Sequence, residues 1–149
     1  MADIYNHYVE HTTITFDEEP ITTEAMQARL DEVSQAKLPW LVAEADGDVV
    51  GFAYAGKWKG RCAYRFSVET TVYLRPTQGG KQIGTRLYEA LWGELRSREV
   101  HAIMAGISLP NPASVALHEK FGMRQVAHFR EVGFKFNAWV DVGYWQCVL

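Results

Sequence analysis

The run Glu69-Thr70-Thr71-Val72-Tyr73-Leu74-Arg75-Pro76-Thr77-Gln78-Gly79-Gly80-Lys81-Gln82-Ile83-Gly84 decides how this 149-residue chain folds. Its first half closes a stretch, Tyr64–Leu74, in which Val68, Thr70, Val72 and Leu74 alternate with Glu69, Thr71 and Tyr73. That is the period of a strand, long enough to hold a bulge or a change of direction. After Pro76 the pattern changes to a glycine-bearing turn, Thr77–Gly84. The turn opens a helix with Ile83, Leu87, Leu91 and Leu95 on one face, joined by Tyr88 and Trp92. Strand, glycine turn and amphipathic helix together make an anion cradle. Free N–H groups point outward at the helix start, where the helix dipole adds about half a positive charge. Glycines admit a phosphate without a Cβ in the way, and Lys81 adds a cation. A tight connection with no ligand accounts for the same glycines as well. The turn is neither a P-loop, lacking Gly-x-x-x-x-Gly-Lys-Ser/Thr, nor a three-glycine dinucleotide fingerprint.

The flanking elements alternate in type. Ile4–Val9 reads as the end of a helix, with Thr12–Phe16 irregular or extended after it. Thr22 is an N-cap for a helix carrying Glu24 in its first turn and Met26, Leu30 and Val33 on one face, ended by Lys37-Leu38-Pro39. Trp40–Ala45 and Val49–Ala55 form a hairpin about Asp46-Gly47-Asp48. His101–Ile107 is a short buried strand. Asn111-Pro112 caps a helix that runs to Phe121 and stops at Gly122. Val126–Phe136 and Trp139–Val148 are strands around a turn at Asn137-Ala138. The order αα-β-β-β-α-β-α-β-β describes one mixed α/β domain.

Composition narrows the function. A formal charge of −3 with no Lys/Arg run argues against nucleic acid. No stretch approaches the roughly 20 apolar residues of a membrane span, and Met1–His7 lacks the charge and apolar run of a signal peptide. Cys62 and Cys147 read as reduced thiols of a cytoplasmic protein. His7 and His11 have no third ligand in sight, so no metal is expected.

Two blocks resemble the GNAT superfamily of N-acetyltransferases. One is Glu69–Pro76 with its glycine turn and Leu87-Tyr88. The other is Asn111-Pro112-Ala113-Ser114-Val115-Ala116-Leu117-His118-Glu119-Lys120-Phe121-Gly122-Met123, similar to an Asn-x-x-Ser-x-x-Leu helix followed by Phe-Gly-Phe/Met. Further blocks resemble the phosphinothricin/methionine sulfoximine acetyltransferases within it. They are Ile4–Tyr8, Phe16-x-x-Glu19-Pro20, Trp40–Glu44, Gly51–Ala55, Ser67–Tyr73, Gly133–Lys135 and Trp139–Gln146.

The resemblance implies an acyl-CoA N-acyltransferase fold (α/β, α+β): a mixed twisted sheet splayed at its centre, with helices on both faces. It implies acetyl-CoA as donor, its pantetheine along Val72, Tyr73 and Leu74. The pyrophosphate would lie on Gly79, Gly80, Lys81, Gln82, Ile83, Gly84 and Thr85, with Asn111 and Ser114 beside the pantetheine. It implies a small primary amine as acceptor, of phosphinothricin, methionine sulfoximine or sulfone type, and a homodimer. A different amine (polyamine, aminoglycoside, protein N-terminus) or a silent acyl-CoA-binding domain are the alternatives. The turn departs from the family's Gln/Arg-x-x-Gly-x-Gly: its first position is Gly79, its fourth is Gln82, Gly80 is extra and Gly84 is kept, which points to weaker or shifted CoA binding. The family also has a strand and most of a helix before its Ile-Tyr-Asn segment. The chain, 1–149, is therefore read as a single GNAT domain lacking the usual first strand, with Trp40–Ala45 at the sheet edge.

Acetyl transfer needs a base, because an amine with a pKa of about 8 is mostly ammonium at neutral pH. Glu69, a lone carboxylate on an apolar strand, is the candidate; an exposed strand Glu is the alternative. A bulge at Val72 would supply an amide for the oxyanion. His118 stands where wider relatives carry a proton-donating Tyr, and a helix-surface histidine is the alternative. Lys57, Lys59 and Arg61 are positioned to clamp an anionic acceptor. Phe16, Glu19, Trp58 and Tyr64 are candidates for the pocket wall. Phe136 replaces a His found in some relatives.

Overall fold

A computed structural model describes residues 1–149. In chain order the elements are α1 (Ala2–His11), α2 (Thr23–Gln35), β1 (Trp40–Ala45), β2 (Asp48–Lys57), β3 (Ser67–Leu74), α3 (Ile83–Arg96), β4 (Ala102–Leu109), α4 (Pro112–Lys120), β5 (Arg124–Lys135) and β6 (Ala138–Val148). The strands form one sheet, ordered β1-β2-β3-β4-β6-β5. Every pairing is antiparallel except β3 with β4. Strand β1 pairs with β2 alone and so forms the expected edge. No helix is long and apolar enough to cross a membrane.

Local chemistry accounts for the element ends. Thr22 Oγ1 accepts the Ala25 N–H at the start of α2. At α4, Asn111 Oδ1 accepts the Ser114 N–H, with Pro112 supplying the first helical residue. The hairpin turns take left-handed backbone in pairs, Asp46 (φ 54) with Gly47 (φ 83), and Phe136 (φ 52) with Asn137 (φ 58). That conformation matches the twist of the strands it joins. Helix α2 stops at a left-handed Lys37 (φ 56), two residues before Pro39.

Alternation along β2 distributes the core to both faces of the sheet. Ala53 and Ala55 point toward α3, into a cluster with Leu87, Tyr88, Leu91, Trp92 and Leu95. Phe52 points the other way, against Ile4, Tyr5 and Val9 of α1 and Met26 of α2. Burial of these apolar faces at ~25 cal/mol per Å² holds the helices on the sheet.

Two expectations change. The strand placed over Tyr64–Leu74 begins only at Ser67, because Cys62–Tyr64 coils into a 3₁₀ turn in which the Tyr64 N–H bonds the Arg61 carbonyl. Nor does β3 bulge against β2. Their pairing runs unbroken from Gly51↔Leu74 to Lys57↔Val68. The irregularity lies on the opposite side of β3. There β3 and β4 pair only at Ser67↔Ala102, Val68↔Ile103 and Glu69↔Met104, and then part.

Candidate active site

The parting of β3 and β4 makes a fork in the middle of the sheet. A small cavity of about 100 Å³ opens in it, lined by Val72 and Tyr73 on one side and Ile107 and Ser108 on the other. Asn111, Ser114 and His118 of the α4 segment close its end. A fork frees backbone groups from ladder bonds, and buried ones must find partners. Thr70 Oγ1 donates to the Met104 carbonyl at 3.4 Å, at the point of separation. Behind it, Tyr88 Oη lies 3.4 Å from Thr70 Oγ1 and 2.8 Å from His118 Nε2.

His118 is 3% exposed, which removes the helix-surface alternative. Its Nδ1 lies 2.7 Å from the Ser114 carbonyl. A carbonyl only accepts, so Nδ1 carries the proton and Nε2 accepts from the Tyr88 hydroxyl. Burial pushes the imidazole pKa below the ordinary histidine value, with the Ser114 carbonyl opposing it. The ring is neutral at pH 7.

A larger cavity, about 750 Å³, adjoins the fork and shares Ile14, Gly106 and Ser108 with it. Its wall is largely apolar. Phe16 and Trp58 face it from the loops, and Phe129, Val132 and Tyr144 from β5 and β6. The Tyr144 ring meets Trp58 at 5.3 Å and Phe129 at 5.9 Å, both edge-on. Glu69 and Lys59 are its two ionisable lining groups besides Tyr144. Lys59 Nζ rests 4.6 Å from the Trp58 ring centroid.

Glu69 lines the large cavity and lies against Gly106, which lines both. A Cβ at Gly106 would come 3.2 Å from Glu69 Oε1 and 3.2 Å from Tyr144 Cζ, so the carboxylate lies directly on the β4 backbone. Burial raises its pKa above the ordinary carboxylate value, while the Gly106 N–H and the Lys59 charge pull it back. Carboxylates with raised pKa in a cleft cluster at sites of proton transfer.

The glycine turn lies at the far end of the fork. Pro76–Gln78 forms a 3₁₀ turn, Gly80 is left-handed (φ 75), and α3 begins at Ile83. The N–H groups of Ile83, Gly84 and Thr85 are the first in α3 and have no intrahelical partner. Gly84 packs between the strand and α4, its Cβ position 3.4 Å from Leu117 Cδ2 and 3.5 Å from Leu74 Cδ1. Gln82, the N-cap, is itself left-handed (φ 59). The turn thus keeps a glycine conformation at a residue with a side chain. The Leu74 carbonyl is engaged by the Tyr8 hydroxyl at 2.6 Å, and the β3 residues that line the fork are Thr70, Thr71, Val72 and Tyr73.

Of the expected acceptor-site residues, Phe16 and Lys59 line the large cavity, as does Trp58. Glu19, Arg61 and Tyr64 do not, Tyr64 being turned to solvent by its 3₁₀ turn. The sequence reading missed Gly106, Phe129, Val132 and Tyr144. On β6 the alternation Val142, Tyr144, Gln146 was a legible signal of one lining face, but nothing local says which face meets the cleft.

Residues 1–143 match the family model described as an acetyltransferase (GNAT) domain. The chain is 41% identical over 146 residues to a phosphinothricin N-acetyltransferase of Streptomyces viridochromogenes, covering 98% of this chain and 79% of that protein. It is 34% identical over 149 residues to an L-methionine sulfoximine/L-methionine sulfone acetyltransferase of Salmonella typhimurium, covering 100% of this chain and 87% of that one. A solved phosphinothricin acetyltransferase of Sinorhizobium meliloti in complex with AcCoA superposes with a TM-score of 0.96 at 33% identity, covering 99% of this chain and 80% of that chain.

The left-handed Gln82 gives a direct prediction. Gln82→Gly relieves backbone strain of about 1–2 kcal/mol, part of which is offset by the greater freedom of glycine in the unfolded chain. A urea titration should show a net gain of about 0.5–1 kcal/mol. A loss of stability would show that residue 82 is not left-handed.

Proposed function

The chain belongs to the GNAT acetyltransferase family, and from that premise we propose that it transfers the acetyl group of acetyl-CoA to the primary amine of a small amino-acid-like acceptor. It is an N-acetyltransferase. The acceptor class proposed is that of phosphinothricin, methionine sulfoximine and methionine sulfone. One observation carries the reading: a half-buried carboxylate with raised pKa stands in the wall of a broad apolar cavity, against Gly106, which that cavity shares with the narrow fork. The fork fits the pantetheine arm of acetyl-CoA as an added strand along Val72 and Tyr73. Asn111 and Ser114 flank that arm, and the pyrophosphate lies on the amides of the turn from Gly79 to Thr85.

In this arrangement the acceptor's ammonium approaches Glu69 from the large cavity, and its carboxylate faces Lys59. The methylene and methyl groups of its side chain lie against Phe16, Phe129 and Val132. Glu69 takes one proton from the ammonium, directly or through a water. The amine nitrogen then attacks the thioester carbonyl, with the Val72 amide as oxyanion donor at the parted edge of β3. The carbon–sulfur bond breaks, and the thiolate takes up the proton that the nitrogen sheds. His118 has a positioning role here: with its one proton held by Ser114 and Nε2 occupied by Tyr88, it fixes the first turn of α4 against the fork. That reading replaces the acid role, which needs a proton free to give.

The same reading includes a cytoplasmic homodimer. Val132, Phe134, Phe136 and Trp139, on the β5–β6 hairpin, are 60%, 48%, 58% and 62% exposed. Apolar surface so concentrated favours burial against a second copy. Light scattering during size exclusion checks this: twice the mass of 16.9 kDa is expected, and a monomer at all concentrations contradicts it.

The test of the function is release of CoA, followed with a thiol reagent, from acetyl-CoA plus methionine sulfone or phosphinothricin. Glu69→Gln should lower kcat by about 100- to 10,000-fold with acetyl-CoA binding unchanged by calorimetry. Wild-type kcat/KM should fall with acidity through a pKa above the ordinary Glu value, and the variant should lose that limb. Because folding raises this pKa, the carboxylate costs stability at neutral pH, a cost that vanishes below the ordinary Glu value. Glu69→Gln should therefore hold or raise the Tm at pH 7. An unchanged kcat, or no turnover of any amino acid by the wild type, contradicts the reading.

A further inference from the structure

The segment between α1 and α2 crosses the large cavity as a strap, and it is tied on both sides of Phe16. The Tyr5 hydroxyl lies 2.7 Å from Thr15 Oγ1 and 2.7 Å from Asp17 Oδ2. Arg29 donates to the same Asp17 oxygen at 2.7 Å. From the opposite side Lys135 donates to the Thr15 carbonyl at 2.8 Å, although this lysine is only 2% exposed. A buried ammonium makes that tie costly to break.

Between the ties, Phe16 points into the acceptor cavity and its ring tip lies on Gly133. A Cβ at position 133 would fall on Phe16 Cζ, closer than carbon atoms approach. Gly133 and Lys135 are two apart on β5 and share one face. That face seats consecutive strap residues: Phe16 over the glycine, Thr15 over the lysine. The backbone does not demand glycine here. Gly133 lacks a positive φ and opens the regular run Gly133↔Val140, Phe134↔Trp139 and Lys135↔Ala138 that follows the β5 bulge. The empty space of its missing side chain is what the Phe16 ring uses.

We propose that Gly133 is a specificity-determining residue: by leaving room for the Phe16 ring it sets how long an acceptor side chain the cavity takes. The inference rests on the acetyl-transfer reading above. A side chain at 133 evicts the ring. The strap backbone is tied at Thr15 and Asp17 and does not follow, so the ring swings over the cavity beside Val132 and shortens it. The acceptor's amine and carboxylate, held at Glu69 and Lys59, are unaffected. Long acceptors lose affinity and short ones keep it.

The experiment compares methionine sulfone with 2-aminobutyrate, which has the same amino-acid head and a shorter side chain. Gly133→Ala should lower the ratio of their kcat/KM values (sulfone over aminobutyrate) about tenfold, with the KM for acetyl-CoA unchanged. Phe16→Leu/Gly133→Ala should restore the ratio, because a shorter side chain no longer meets the new methyl. Phe16→Leu alone should shift the ratio toward the sulfone, and this variant carries the test if Gly133→Ala does not fold. A ratio that stays constant or rises in Gly133→Ala overturns the proposal. So does an equal fall in the Phe16→Leu background, or a Phe16→Leu ratio equal to wild type. A wild type that acetylates neither acceptor brings down the acetyl-transfer reading, and this inference with it.

Discussion

Two strands that pair for three residues and then separate impose the constraint on which the rest of this structure depends. A central break in a sheet leaves backbone groups that ladder bonds would otherwise satisfy. The chain meets this on the α3 side with a line of buried polar groups. Thr70 bonds the Met104 carbonyl at the fork, Tyr88 stands behind it, and His118 joins Tyr88 to the Ser114 turn of α4. No buried side-chain nitrogen or oxygen is left without a partner. The fork is therefore a stable opening, held by packing on both faces of the sheet.

That opening also sets where the proposed base sits. Glu69 is the last residue of β3 paired to β4, so its carboxylate emerges at the junction between fork and acceptor cavity. Gly106, just past the split on β4, has no side chain to push it away. The apolar wall raises its pKa, and the nearby Lys59 charge keeps it ionisable. A base in such surroundings matches an amine that must be deprotonated before it attacks.

The elements were legible wherever the signal was local. Thr22 and Asn111 announced helix starts, Asp46-Gly47 announced a hairpin, and the period from Ile83 to Leu95 announced the buried face of α3. The resemblance supplied the topology, including the splayed centre. Errors arose where the outcome depends on residues far away in sequence. The break belongs to the β3–β4 pairing, across more than thirty positions of chain, so the run Ser67–Leu74 by itself suggested a bulge instead. Tyr64 reads as strand by composition, but a 3₁₀ turn at Cys62–Tyr64 removes it from the site. The acceptor wall comes from loops before α2 and from β5 and β6, elements joined only in the fold. Hence Phe16 and Trp58 were anticipated while Phe129 and Tyr144 were not.

The central claim is that the fork places a thioester beside Glu69. A crystal structure with CoA bound measures this directly. The account predicts the pantetheine paired along Val72 and Tyr73 and the sulfur in the gap between β3 and β4. The Glu69 carboxylate should then stand within one water-mediated hydrogen bond of the reacting centre. CoA seated outside the fork, or a Glu69 side chain turned away from the sulfur, would contradict it.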